Sequence, residues 1–427
     1  MISSQSKIYN NKIKAYTRPI TYPGLTLVTL AALVPKELQA EVSILDEGAD
    51  DTPIDYSVDL IAISAMTANV SRAYQIATEA RKRGVYVVLG GYHVSYNFEE
   101  AKKYCDTVIM GQAEITWPQF LRDFVAGQPK EKYYQEKAPR LVNLPFPRWD
   151  LLKWNKYLNI KTIQASRGCP NNCKYCNVAQ NMFADNKRPI ADVIAEIKYF
   201  KGKKIAFLDP NFFADYNYAR ELINALIPLK IKWACLSTIK IGQDEVILSL
   251  MKKSGCVGVL IGLETVCQDN IASMKKPDNK VEIYQKNLSN FHRFGISVLA
   301  CFVLGFDNDD QNIFQKTVDF IKKSGINLIR FSALTPFPGT AIYKELEEQG
   351  RIISRDWNLY DFQSVVYQPK LLTTEELRQG LRYCWDEIYS YREIIRRSWR
   401  SKNYKFLMFL LNLGFRSMYR GYFNDKS

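Results

Sequence analysis

Apolar and polar positions alternate along the chain with two periods. Gly24–Pro35 sets Leu27, Leu30 and Val34 at i, i+3 and i+7, which predicts a helix. Glu41–Asp46 predicts a short strand. Asp59–Ala65 is apolar without interruption after its first residue, the pattern of a parallel strand buried on both faces. Ser71–Gly84 predicts an amphipathic helix closed by Gly84. Val85–Leu89 predicts a second buried strand, Thr107–Met110 a third, and Thr116–Ala126 a helix. Strands and helices in this order predict an open, doubly wound α/β domain.

Gln128–Pro147 is charged and punctuated by proline, and reads as a linker. A second alternation starts at Thr162. Its strand-like runs are Thr162–Ala165, Lys204–Leu208, Lys232–Leu236, Val257–Gly262, Ser297–Val303 and Leu328–Leu334. Helical patterns lie between them, as in Val193–Phe200, Asp244–Ser254, Val281–Phe294 and Asn312–Ser324. Six such units fit a partial β/α barrel better than a second flat sheet, although periodicity cannot separate the two. Beyond Thr340 the pattern turns helical, and Thr373–Tyr389 opens with a capping box, Thr373 as N-cap and Glu376 at N3. The predicted fold class is α/β. A doubly wound domain spans residues 1–130, a linker 131–157, a partial (β/α)6 barrel 158–345, and a mainly helical region with a basic amphipathic tail 346–427.

Composition narrows the classes. Hydrophobic residues make up 47% and charged residues 24% of 427, which excludes a largely disordered chain. The net charge is +14. From Tyr391 to Ser427 nine basic residues face only Glu393 and Asp425, so half of the excess sits at one end. Charge placed this way favours a local anionic surface over a general nucleic-acid wrapper, and no appended RNA-binding module is evident. The first residues lack the apolar core of a secretory signal, and no apolar run reaches the roughly 18 residues that span a bilayer. The expected compartment is the cytoplasm, where cysteines bind metal or do chemistry more often than they form disulfides.

Cys169-Pro-Asn-Asn-Cys173-Lys-Tyr-Cys176 packs three thiols into eight residues just after a predicted strand. Thiolates at this density bind soft metal. A structural zinc site needs a fourth ligand, and neither His93 nor His292 is near in sequence. Three cysteines without a local fourth suit a 4Fe–4S cluster with one iron left open. The bland alternatives are chance clustering or zinc completed by a distant cysteine. Cys105, Cys235, Cys256, Cys267, Cys301 and Cys384 form no second cluster, and Cys235 and Cys301 read as core.

This spacing after the first strand of a β/α barrel, with the aromatic Tyr175 before the third cysteine, resembles the radical S-adenosylmethionine enzymes. The resemblance implies that Cys169, Cys173 and Cys176 hold a 4Fe–4S cluster, whose open iron is chelated by S-adenosylmethionine. It implies that an electron, delivered by a flavodoxin- or ferredoxin-type donor, cleaves the sulfonium and yields a 5′-deoxyadenosyl radical. The residues around Tyr175 and Asn177 would then meet the adenine. Barrel active sites lie at the carboxyl ends of strands. Asp209 and Asn211, Thr238, Gly262 and Glu264, and Gly305 all fall at such ends. Gly262 and Gly305 would admit a ligand close to the backbone, and Glu264 and Thr238 can hydrogen-bond ribose hydroxyls or an amino group. A glutamate after a strand is more often a surface or capping residue, but positions shared over successive units favour a site.

Ser64 and Thr67 after one strand, Gly90 and Gly91 after the next, and Gly111 after a third resemble the cobalamin-binding domain that precedes the barrel in one radical subgroup. Small residues at strand ends form the crevice of a doubly wound sheet. The Asp-x-His-x-x-Gly signature for a cobalt-ligating histidine is absent, and His93 reads as a satisfied loop histidine. Met1–Pro23 holds no convincing apolar strand, so the sheet is expected to lack its first strand. The tail from Trp357 resembles that of cobalamin-type radical enzymes, some of which act on lipids. The resemblance implies methylation of an unactivated carbon in a small-molecule or lipid-like substrate; cyclisation, oxidation or rearrangement is the alternative, and a non-catalytic scaffold the remote one. The tail helix, with Trp399, Phe406, Met408, Phe409 and Phe415 among its basic residues, either touches the inner face of the membrane or packs on the barrel.

Overall fold

The computed structural model describes residues 1–3, 22–135, 138–178 and 186–424. The chain forms two units: residues 1–159 with Asp356–Tyr360, and residues 160–355 with 361–427.

The first unit is built on a six-stranded parallel sheet. Its strands are β1 (Ile2–Ser3), β2 (Leu45–Asp46), β3 (Leu60–Ser64), β4 (Tyr86–Gly90), β5 (Thr107–Met110) and β6 (Lys132–Tyr134). They lie in the order β2-β1-β3-β4-β5-β6. The uninterrupted apolar runs arise because both faces are covered. Ile61, Ile63, Val87, Leu89 and Val108 pack with Val70, Ala73 and Ala77 of the helix Val70–Lys82. The alternate residues Ala62, Val88 and Ile109 pack with Trp117, Phe120 and Leu121 of the helix Thr116–Val125. Gly84 follows the first of these helices with φ 78°, a conformation that suits glycine at this position.

Two expectations are corrected. The sheet does not lack its first strand: Ile2 and Ser3 pair with Leu45 and Asp46 on one side and with Ile63 and Ser64 on the other. Two residues carry no period, so the pattern could not reveal them; Ile2 is recognised only by its burial beside Ile61 and Ile63. The stretch read as linker also contributes β6, which pairs with β5. Only Tyr133 of its three residues is buried, where its hydroxyl donates to Asp123 at 2.7 Å.

The second unit carries β7 (Lys161–Ile163), β10 (Lys204–Phe207), β11 (Lys232–Ser237), β12 (Cys256–Glu264), β13 (Ser297–Leu304) and β14 (Leu328–Ala333). β8 (Ser166–Arg167) and β9 (Asn186–Lys187) form a separate antiparallel pair between the first two. The six parallel strands lie in chain order with no reversal, the winding of a partial β/α barrel rather than a doubly wound sheet. Along β13 burial alternates: Val298, Ala300, Phe302 and Leu304 are buried, while Ser297, Leu299, Cys301 and Val303 are half-buried on the other face. Cys235 is core as expected, but Cys301 lies on the more open face.

Thr373 caps the helix Thr374–Ile388 through the predicted box: Glu376 N donates to Thr373 Oγ1 at 3.1 Å, and Thr373 N to Glu376 Oε2 at 2.7 Å. Two further helices follow, Tyr391–Arg400 and Lys405–Asn424. Asn412 is buried and fastens the last one, donating to Asn327 O at 3.2 Å and accepting from Arg397 Nη2 at 2.7 Å. Among the described residues no helix is long and apolar enough to cross a membrane.

Candidate active site

The cysteine loop leaves β8 through Gly168, which has φ 88°. Cys173 is buried, and Cys169 and Cys176 are half-buried. The turn is held from both sides. Cys176 N donates to Cys173 O at 3.1 Å, Lys174 N to Met274 O at 3.2 Å, and Ile342 N to Lys174 O at 3.0 Å. Burial pushes the Cys173 thiol up to about 11 and also raises that of Cys169. Cys173 feels the Cys169 and Cys176 thiols, Cys169 feels that of Cys176, and both feel the buried cation Lys276, so sulfur and ammonium share one electrostatic environment. A bound soft metal lowers such a pKa and holds the sulfur as thiolate. Among the described residues no three His, Cys, Asp or Glu side chains converge on a single ion's position. A cluster asks for something else, one thiolate on each of three separate irons.

Glu264 ends β12 with φ 67°, unusual for a residue with a side chain. The register against β13 shifts between Gly262 and Glu264, and the Glu264 carboxylate pairs with Lys276. Both are buried. Lys276 Nζ also donates to Gly262 O at 2.9 Å. Asn279 donates to Gly262 O and Leu263 O, both at 3.0 Å, and Tyr284 OH to Leu263 O at 2.8 Å. Lys276 and Asn279 carried no sequence signal, because Lys275-Lys276-Pro277-Asp278-Asn279-Lys280 reads as a solvated charged loop. Burial and the neighbouring Glu264 carboxylate push the Tyr175 phenol well up, and its ring sits edge-on to Phe306 at 6.4 Å.

The remaining expected residues divide. Asp209 is buried and braces the approach to the cysteine loop: it accepts from Ala165 N at 3.1 Å and from Ser166 Oγ at 2.6 Å, and from Ser166 N. Burial outweighs these bonds and sets its carboxyl at about 6. Asn211 accepts from Phe213 N at 3.2 Å and closes its own turn. Thr238 is buried and precedes the 3-10 turn Ile239–Gln243. The glycines do not offer the open backbone expected of them. A Cβ on Gly262 would overlap the Glu264 carboxylate, and one on Gly305 would meet the Tyr367 hydroxyl and Leu377. Their small size admits neighbouring side chains of this chain, a role that strand-end position cannot distinguish from ligand access.

In the first unit, Ser64 and Gly90 are paired at the carboxyl ends of β3 and β4, and Gly111 follows β5. The strand order reverses between β1 and β3, so the crevice of a doubly wound sheet opens beside Ser64. Gly91 has φ 112°, and a Cβ there would overlap Ala65 O. A Cβ on Gly111 would meet nothing within 4 Å. Thr67 is buried, 3.2 Å from His93 Nδ1, while His93 Nε2 faces Glu100 at 3.3 Å. Trp357 Nε1 donates to the same carboxylate at 3.1 Å. His93 is therefore satisfied, buried in the short helix Tyr92–Tyr96 rather than in a loop.

Residues 163–321 match the Radical SAM superfamily, and residues 21–121 match the B12 binding domain. The chain is 31% identical to the bacteriochlorophyllide d C-12(1)-methyltransferase of Chlorobaculum tepidum, over 87% of this chain and 84% of that one. This chain belongs to the radical S-adenosylmethionine enzymes that carry a cobalamin-binding domain. It is 29% identical to the bacteriochlorophyllide d C-8(2)-methyltransferase of the same organism, over 88% of this chain and 87% of that one. The fold also matches the radical S-adenosylmethionine methyltransferase TsrM of Kitasatospora setae, with TM-score 0.69 and 15% identity over 100% and 97% of the two chains.

The cofactors of this radical family are a 4Fe–4S cluster, S-adenosylmethionine and cobalamin, and the residues present fit them. Three thiols lie in the field of one buried ammonium. Asn177 Oδ1 and Asn279 Oδ1 are buried acceptors without a partner. Ser64, Gly90 and Gly111, at or just after the carboxyl ends of β3, β4 and β5, are small, and a Cβ on Gly111 would meet nothing within 4 Å.

Proposed function

We propose that this radical enzyme transfers a methyl group to an unactivated carbon of a small-molecule or lipid-like substrate. The observation that carries the reading is the 31% identity to a bacteriochlorophyllide methyltransferase across both family matches. When bound, the cluster supplies the electron that splits the sulfonium of S-adenosylmethionine, and cobalamin carries the methyl group.

The chain's own residues bind and orient. Cys169, Cys173 and Cys176 would be the cluster ligands, with Lys276 offsetting their negative charge. Glu264, held by Lys276, would accept from an ammonium or hydroxyl of S-adenosylmethionine, as would Thr238 at its own strand end. Tyr175 and Asn177 would border the adenine, while Asp209 and Asn211 position the loops around it. Gly262 and Gly305 make room for the packing behind Glu264 and around Tyr367. Ser64, Thr67, Gly90, Gly91 and Gly111 would form the cobalamin crevice. In this assignment residues 1–130 serve cobalamin and 158–345 the radical chemistry, and 346–427, apart from Asp356–Tyr360 of the first unit, add helices to the second. The electron donor would be of flavodoxin or ferredoxin type. The protein would work in the cytoplasm, in peripheral contact with the inner face of the membrane.

The test uses reconstituted protein, reductant and S-adenosylmethionine labelled in its methyl group, with candidate hydrophobic acceptors. Label on an acceptor carbon together with deoxyadenosine supports methyl transfer. Deoxyadenosine with an altered but unlabelled acceptor overturns it in favour of cyclisation, oxidation or rearrangement.

A further inference from the structure

The last two helices have more apolar surface than the barrel covers. In Tyr391–Arg400, Ile394, Arg397 and Ser398 are buried. Tyr391, Ile395 and Trp399 lie on another stripe, at i, i+4 and i+8, and all are exposed, Trp399 at 70%. Arg392, Arg396 and Arg400 run alongside them, one residue further on. The helix Lys405–Asn424 repeats the arrangement. Met408, Asn412 and Tyr419 are buried, whereas Phe406 (74% exposed), Leu407 and Leu410 face solvent. Seven of the nineteen exposed large hydrophobic side chains among the described residues fall between 391 and 410. The same stretch has six basic residues and the single acid Glu393, which pairs with Arg396 at 2.6 Å. Beside the join between the helices lies a small polar cleft lined by His292, Asn327, Arg400, Lys402 and Asn403. His292 Nε2 is buried there without a partner.

A helix apolar on both sides has a second apolar neighbour. Exposed tryptophan, phenylalanine and leucine bordered by arginine and lysine match the boundary layer of a bilayer, where rings enter the acyl region and cations stay among anionic headgroups. We infer that the outer face of residues 391–410 docks on an anionic lipid bilayer, with Trp399, Phe406 and Leu410 inserted and Arg392, Lys402 and Lys405 on the headgroups. This deepens the peripheral contact proposed above and does not depend on methyl transfer.

The experiment is sedimentation of the full-length protein with vesicles of phosphatidylcholine alone or mixed with phosphatidylglycerol. Wild type is expected to bind the mixed vesicles, more weakly as salt rises, and not the neutral ones. Neutralising Arg392, Lys402 and Lys405 together to glutamine should weaken binding on the order of a hundredfold, about fivefold for each charge. Changing Trp399, Phe406 and Leu410 together to serine should abolish it while the thermal midpoint holds. Brominated acyl chains should quench wild-type fluorescence and have less effect on Trp399→Phe. If wild type binds and both triple variants bind equally well, the peripheral contact stands and this surface is wrong. If wild type binds no vesicle, both fail. A wild-type dimer that the serine variant turns into monomer, or salt-sensitive binding to single-stranded RNA without vesicle binding, assigns the face to another partner and overturns the inference.

Discussion

Asp209 sets burial against hydrogen bonding, and the substitution Asp209→Asn reads which one wins. The carboxylate is buried and accepts from Ala165 N, Ser166 N and Ser166 Oγ. Hydrogen bonds to the charged form lower a carboxyl pKa, and burial raises it. Here burial prevails, moving the group from 3.8 to about 6. The native state therefore holds the proton across a window in which the unfolded chain has lost it. Stability from this group is complete below pH 3.8 and is lost as pH rises through about 6. Two units of displacement correspond to roughly 3 kcal/mol. Asparagine cannot ionise, so it escapes this loss, and its NH2 stands where the protonated carboxyl has its O–H. The gap, wild type minus Asp209→Asn, should therefore fall by about 2 kcal/mol between pH 4.5 and pH 7. The assay is urea unfolding of both proteins without cofactors across this range. Asp309, whose carboxyl burial sets at about 7, is common to both proteins and cancels in the difference. A gap that widens as pH rises would mean that the three hydrogen bonds outweigh burial, and would refute the reasoning.

Three further outcomes follow from the same geometry. Cys173→Ala should lose most bound iron and sulfide, measured by chemical quantification and visible absorbance, while corrinoid binding by the first unit persists. Lys276→Met should cost about 3–5 kcal/mol by leaving the buried Glu264 carboxylate uncompensated, and adding Glu264→Gln should restore much of it in denaturant midpoints. Gly91→Ala should destabilise the first unit by more than about 1 kcal/mol, because a Cβ there overlaps Ala65 O at a φ that disfavours side chains; corrinoid titration should show weaker binding.

Much of the fold was legible because burial on two faces writes a local record. Leu60–Ile63 and Val85–Leu89 are apolar runs, since helices cover both sides of the sheet. The capping box at Thr373 and the triple-cysteine spacing were equally local, needing four and eight residues of chain to specify their chemistry. Ile2–Ser3 and Lys132–Tyr134 were not legible, because strands of two and three residues have no period to detect.

What the sequence determined by itself was the alternation of elements and the three neighbouring sulfurs. The tertiary structure decided which charges surround them. Lys276 reaches Glu264 only because β12 shifts register at its end and a loop twelve residues further on folds back over it. It likewise decided that Gly262 and Gly305 make room for side chains of the chain itself, and that the outer stripe of Tyr391–Arg400 stays uncovered. Such pairings depend on distance through space, and a one-dimensional pattern records only distance along the chain.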